Sequence, residues 1–229
     1  MSECLALESL ARTNGLSLFA TWHSQEADAV RTAADWLADK QVLRLRVIWR
    51  EDVRRWHAGQ QWIWESGGFG VFDPGINALS IITRILPLPL QVSSATLSVP
   101  ANCKTPIAVD LIFRYPGCTD ASANFDWREQ DKQSWRIEIE TDEGAMRLEN
   151  GGSQLFIDGS RMRPSDEFQS IGNDEAIDTL RNEYQRLYRR MARLVAQKHS
   201  AMDLAPLQLV ADAYMLGEQI GVEPFSWSV

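Results

Sequence analysis

The sequence predicts an α+β protein: one large, mostly antiparallel open sheet with helices on one face, preceded by a short α/β unit. Three observations support this. The first forty residues read as helix, apolar run, helix. From Val42 to Ile157 strand-like runs follow one another at short spacing, separated by turn residues such as Pro116-Gly117 and Asn150-Gly151-Gly152. Apolar helical patterns then fall at Gly75–Ile85, Glu175–Gln197 and Pro206–Ile220.

Element by element, Leu5 to Arg12 has helical apolar spacing and ends at Asn14-Gly15, a helix-stopping pair. Leu16 to Trp22 is almost wholly apolar and is expected to be a buried parallel strand. Ala27 to Ala38 carries Val30, Ala33, Ala34 and Leu37 along one side. A boundary is expected here, dividing residues 1–39 from residues 40–229. Val42 to Trp49 alternates, with Arg44 and Arg46 facing away from Leu43, Leu45 and Val47. Further strands are expected over residues 95–99, 107–115, 121–128, 135–141, 144–149 and 153–157.

The chain has 229 residues, 45% hydrophobic and 24% charged, ordinary for a globular protein. Its net charge of -8 provides no field to gather nucleic acid or an anionic membrane. The arginines between Arg186 and Arg193 read as a solvated helix face. Three cysteines at irregular spacing suggest neither a disulfide framework nor a zinc site. No apolar run reaches membrane-spanning length and the start carries no secretory pattern, so a cytoplasmic location is expected.

Chemistry concentrates between Trp49 and Asn77, which hold four of the nine tryptophans, one of the three histidines and several glycines. Tryptophan faces stack on sugar C–H groups, while carboxylate, imidazole and amide groups bond hydroxyls. That mixture suits a polar-ligand pocket, and a Trp-rich core would strand Glu51, His57 and Asp73 near apolar bulk. Asp73 and Pro74 read as the start of a helix, with Asp73 as its N-cap. Asn77 lies one turn on, so both can face one ligand. Gly68-Phe-Gly70 is no phosphate loop, because no strand opens a βαβ unit there and a carboxylate takes the third glycine's place. His199 is given no chemistry, only a place near a helix C-terminus.

The stretch Gly67-Gly68 … Asp73-Pro-Gly75-Ile-Asn77 resembles the signature of the glucose–fructose oxidoreductase/inositol dehydrogenase/rhizopine-catabolism family. Residues 49–57 and 72–80 look like its aldose dehydrogenase branch, which acts on D-galactose and L-arabinose. Similarity continues through Trp22-His23-Ser24, Phe125-Asp-Trp127, Trp135 and Val222–Phe225. The resemblance implies that residues 1–39 are the end of a Rossmann NAD(P)-binding domain and residues 40–229 the catalytic domain. It implies that Met1 follows the family's Glu-Lys-Pro segment, so the glycine fingerprint and active-site lysine lie outside this sequence and NAD(P) binding by this chain is doubtful. Gln25-Glu-Ala-Asp28 departs from the more basic segment expected there, and Asn77 replaces the wider family's histidine.

Carried over by position, Asp73 is the expected proton acceptor. His23, Glu51, Trp56, His57, Asn77 and Trp135 are the expected sugar-binding residues. The implied reaction oxidises an aldose at C1 to its lactone with hydride passing to NADP or NAD. The implied partners are a small sugar and either further copies of the chain or a complementing N-terminal chain, with an exposed Leu16–Trp22 edge promoting association. Two other readings are a non-catalytic sugar-binding or oligomerisation module and a hydrolase using Glu51 and Asp73 as paired carboxylates.

Overall fold

The computed structural model describes residues 2–163 and 175–226. Helix α1 (Ser2–Thr13) stops where Gly15 turns to φ +64, a conformation that costs a side-chain-free residue little. The strand expected over residues 16–22 does not form. This segment makes one parallel bridge, Phe19 with Ala201, and Leu16 is 62% exposed. A strand needs a neighbour for its alternate N–H and C=O groups. Among the described residues only the turn after helix α5 (Glu175–Gln197) supplies one, through Ala20 N–H to Ala201 O and Ala201 N–H to Leu18 O.

A single 3₁₀ turn (His23–Glu26) leads into α2 (Val30–Leu37). Its Val30, Ala33 and Leu37 are fully buried in the core shared with the sheet. Burying side chains of the Val or Leu class contributes roughly 1.5–3 kcal/mol each. The expected boundary at residues 39–40 is therefore not a packing boundary: α2 rests on α4 and on the β6–β7 end of the sheet.

The strands are β1 (Val42–Arg50), β2 (Gln91–Pro100), β3 (Ala108–Arg114), β4 (Asp120–Asp126), β5 (Ser134–Thr141), β6 (Gly144–Glu149), β7 (Gln154–Ile157), β8 (Ser160–Met162) and β9 (Glu218–Val222). They form one sheet in the order β8-β7-β6-β5-β1-β4-β3-β2-β9. The expected mostly antiparallel sheet is corrected to a mixed sheet. β1 inserts between β5 and β4 and runs parallel to β4, while β9 runs parallel to β2. Short turns reveal only neighbours in sequence; the two parallel pairings close over long connections that carry no local signal.

Alternation along β3 shows the two faces: Val109, Leu111 and Phe113 are buried, whereas Asp110, Ile112 and Arg114 are exposed. Helices α4 (Phe72–Ile85) and α6 (Ala205–Leu216) join α2 over the buried face. The helix expected to run on to Ile220 ends at Leu216. At Gly217 a Cβ would collide with the Leu97 side chain and the Ala213 carbonyl, so the chain passes tightly against β2 and continues as β9. The remaining helices are α3 (Val53–Trp56) and the long α5 (Glu175–Gln197).

The arginines of α5 are not merely a solvated face. Arg186 is held by the Asp28 carboxylate at 2.6 Å and the Glu26 carbonyl at 2.7 Å, and Arg190 by the Glu26 carboxylate at 3.0 Å. These bonds fasten α5 to the His23–Glu26 turn.

Candidate active site

Glu51 follows β1 and Trp127 follows β4. Because these strands run parallel in register, with Arg50 opposite Asp126, both residues emerge at the same, carboxyl edge of the sheet. This is where ligands gather in sheets with parallel strands. On the other side of β1, antiparallel β5 carries Trp135, its second residue, opposite Trp49. The carboxylate of Glu51 thus sits between indoles from both neighbouring strands. Trp127 donates Nε1–H to Oε1 at 3.2 Å and Trp135 donates Nε1–H to Oε2 at 2.7 Å. A charge with a side chain only 7% exposed is tolerated because both oxygens are engaged.

His57 lies just after α3, whose first turn is capped by the Asp52 side chain accepting Arg54 N–H at 3.0 Å. Its Nε2 is 3.4 Å from Glu51 Oε1 and its Nδ1 is 3.5 Å from Asp73 Oδ2 and 3.3 Å from Gln60 Oε1. The ring packs on Trp127 with centroids 5.0 Å apart. Burial pulls the imidazole down, but Glu51, Gln60 and the charge of Asp73 outweigh it and leave His57 above its usual value.

Asp73 stands in the first turn of α4. It is not the expected N-cap: Val71 holds that position, with no side-chain bond, and helical geometry begins at Phe72. The carboxylate is thereby left for the cavity. Burial raises its pKa, the His57 charge opposes that, and the Glu51 charge adds to it. Gly75 lets α4 approach the sheet, since a Cβ there would lie 2.7 Å from Phe125 Cδ2.

A cavity of about 590 Å³ opens over this group and is lined by all seven residues expected from the sequence: His23, Glu51, Trp56, His57, Asp73, Asn77 and Trp135. Trp56 is half exposed and meets Trp135 edge to face, centroids 5.6 Å apart, making an aromatic wall. His23 enters from the turn after residue 22, its Nδ1 2.7 Å from Glu183 Oε2.

Several residues at the cavity were not anticipated. Asn150, Gly151 and Ser153 reach it from the β6–β7 turn, where Asn150 adopts φ +49 and Gly151 φ +67. The sequence marks these residues only as a turn between strands, and nothing local to it indicates a second use. Trp127 holds Glu51, and Glu183 arrives from α5, far away in sequence.

A larger cavity, about 870 Å³, is lined by Arg84, Arg193 and other arginines beside Glu26. It has no aromatic wall, and its Glu26 is already bonded to Arg190, so the chemistry points to the smaller cavity. Among the described residues no group of three or more His, Cys, Asp or Glu could hold a metal ion. None of the described helices is long and apolar enough to cross a membrane. The Gly68–Gly70 loop is packed, not open. A Cβ at Gly68 would lie 2.5 Å from the Trp62 carbonyl, and one at Gly70 would strike the Pro106 carbonyl. That loop therefore forms no glycine cradle for a dinucleotide.

No family model matches the chain. Over 199 residues it is 44% identical to a galactose 1-dehydrogenase of Pseudomonas fluorescens, an alignment covering 87% of this chain and 60% of that protein. The crystal structure of a D-galactose-1-dehydrogenase from Rhizobium etli superposes with TM-score 0.88 at 47% identity, covering 99% of this chain and 68% of that one. More distant structures share the fold. A 3-ketoreductase from Actinomadura kijaniata in complex with NADP and TDP-benzene has TM-score 0.72 at 13% identity, covering 96% of this chain and 69% of that one. An oxidoreductase from Agrobacterium radiobacter in complex with NAD+, L-tartaric acid and magnesium has TM-score 0.74 at 15%, covering 93% and 66%. The chain spans 60% of the length of the curated relative. With nearly half its aligned residues shared and its whole described fold superposed, the chain belongs to the glucose–fructose oxidoreductase/inositol dehydrogenase/rhizopine-catabolism family, in its galactose 1-dehydrogenase branch.

Proposed function

We propose that this chain forms the sugar-binding and proton-accepting part of an NAD(P)-dependent aldose 1-dehydrogenase that converts D-galactose, L-arabinose or a similar aldose to its lactone. The observation that carries this reading is Asp73, a carboxylate whose pKa is raised by burial, facing a cavity with an aromatic wall and amide, imidazole and carboxylate groups. Trp56 and Trp135 stack on the pyranose. Glu51, His57, Asn77 and His23 bond its hydroxyls. Asp73 accepts the C1 hydroxyl proton, and its raised pKa makes it a stronger base than an exposed carboxylate. General-base help of this kind contributes about 10²–10⁴-fold. As the proton leaves, its O–H electron pair becomes the second C1–O bond of the lactone.

Oxidation at C1 also needs a hydride acceptor, and nicotinamide nucleotides supply that chemistry when bound. The Gly68–Gly70 loop does not fit such a cofactor, and only binding and proton steps are assigned to the described residues. The alternative is a sugar-binding module without redox chemistry. Further copies of the chain or a complementing chain are the proposed partners; the exposed Leu5, Leu7, Leu10 and Leu16 support this.

Tryptophan fluorescence of the purified chain, titrated with D-galactose and L-arabinose, tests the reading. Saturable quenching is expected, and its absence with both sugars would refute it. NADP and NAD reduction in the same samples separates the dehydrogenase from the binding module.

A further inference from the structure

Glu183 takes no part in the proton transfer described above, yet it is one of few buried carboxylates in the described chain. The residue is 6% exposed and lines the cavity that holds Asp73. Its Oε2 lies 2.7 Å from His23 Nδ1, a short, charge-assisted distance. Tyr184 beside it stacks on the His23 ring at 5.7 Å with planes 7° apart. Two successive residues of α5 therefore hold one imidazole, by its edge and by its face. Ser24 Oγ, at 3.4 Å, is the other polar group near Nδ1.

We propose that Glu183 is a positioning residue for His23, fixing the tautomer that carries its proton on Nδ1 and thereby presenting Nε2 to the cavity as a hydrogen-bond acceptor for a ligand hydroxyl. The identity of that hydroxyl group as a sugar's rests on the function proposed above. An imidazole with a free choice of tautomer would offer an acceptor only part of the time; a carboxylate on one nitrogen removes the choice. Burial raises the pKa of Glu183, His23 opposes this, Asp28 adds to it and Arg186 opposes it. Arg186 is itself bonded to Asp28 and to the Glu26 carbonyl. By fastening α5 to the His23–Glu26 turn, these bonds keep Glu183 beside the ring.

The test uses the full chain, with imidazole nitrogens observed by long-range ¹H–¹⁵N NMR at mildly alkaline pH, in wild type and in Glu183→Gln and Glu183→Leu. The expected result is an Nδ1-protonated His23 whose Nε2 resonance moves when D-galactose is added. In Glu183→Leu the ring should become a tautomer mixture and galactose binding should weaken about tenfold, the scale of one orienting hydrogen bond. Glu183→Gln, whose amide oxygen still accepts, should keep most of both. Thermal melts show whether each variant is folded; if Glu183→Leu is not, the wild-type tautomer and the Gln variant decide. An Nε2-protonated ring in wild type, or an unchanged tautomer in a folded Glu183→Leu, would overturn the proposal. Absence of galactose binding by wild type would remove the sugar reading, and the tautomer alone would then decide the role of Glu183.

Discussion

Replacing Glu51 by glutamine changes no shape but removes one acceptor, and the structure says what that costs. In wild type each carboxylate oxygen receives an indole N–H: Oε1 from Trp127, Oε2 from Trp135. Glutamine has one oxygen, so one indole must face an N–H₂ group, donor against donor. With its oxygen toward Trp127 it also still faces His57 Nε2, and Trp135, only half buried, loses its partner. With its oxygen toward Trp135, the fully buried Trp127 is orphaned. The first arrangement is the cheaper. An orphaned buried donor costs about 1–3 kcal/mol, and the lower half of that range is expected here because Trp135 can reach water. For a chain of this size that corresponds to a melting temperature lower by about 2–6 °C. Thermal unfolding followed by tryptophan fluorescence measures it, and galactose titration of the same protein should show weakened binding. A Glu51→Gln chain with wild-type melting and wild-type sugar affinity would refute the view that two indoles clamp a charged Glu51.

Three further outcomes follow from the same site. Asp73 has a folded pKa raised by burial above its unfolded value, so its ionisation costs stability that is lost as pH rises through the folded pKa. Asp73→Asn should therefore melt higher than wild type at about pH 8, with the gain disappearing in acid. His57 is raised above its usual value, so it contributes stability below about pH 6.5 that is lost as pH rises through its folded pKa. Its NMR titration midpoint should fall in Glu51→Gln, and an unmoved midpoint would show that Glu51 does not hold the imidazolium. Gly75→Ala drives a methyl into the Phe125 ring and should cost about 1–3 kcal/mol in urea denaturation; a neutral effect would mean that α4 is free to shift.

Seven of the residues that line the cavity were legible in the sequence, because a dense local stretch and a family signature carry five of them, Glu51, Trp56, His57, Asp73 and Asn77. What was hidden came through long-range pairing. Trp127 acts on Glu51 only because β4 lies parallel beside β1, and Glu183 reaches His23 only because α5 folds back across the turn. Neither contact leaves a periodicity to read. Residues 16–22 show the reverse failure: their apolar pattern is that of a buried strand, yet pairing decides whether a strand exists. Residues 218–222 carry no strand signal because helical spacing continues in the sequence past Gly217, whose tight contact with Leu97 ends the helix.

The insertion of β1 between β5 and β4 also sets when the cavity can come into being. Arg50 pairs with Asp126 and Ser134, partners some eighty positions downstream, so the Glu51 clamp closes only after a long loop has been ordered. The β5–β6 and β6–β7 hairpins can form locally and early, but none of them contains the carboxylate. On a ribosome Glu51 emerges long before either indole that will hold it. A carboxylate destined for burial thus stays solvated until the centre of the sheet zips together, and the ligand site is among the last features of the molecule to appear.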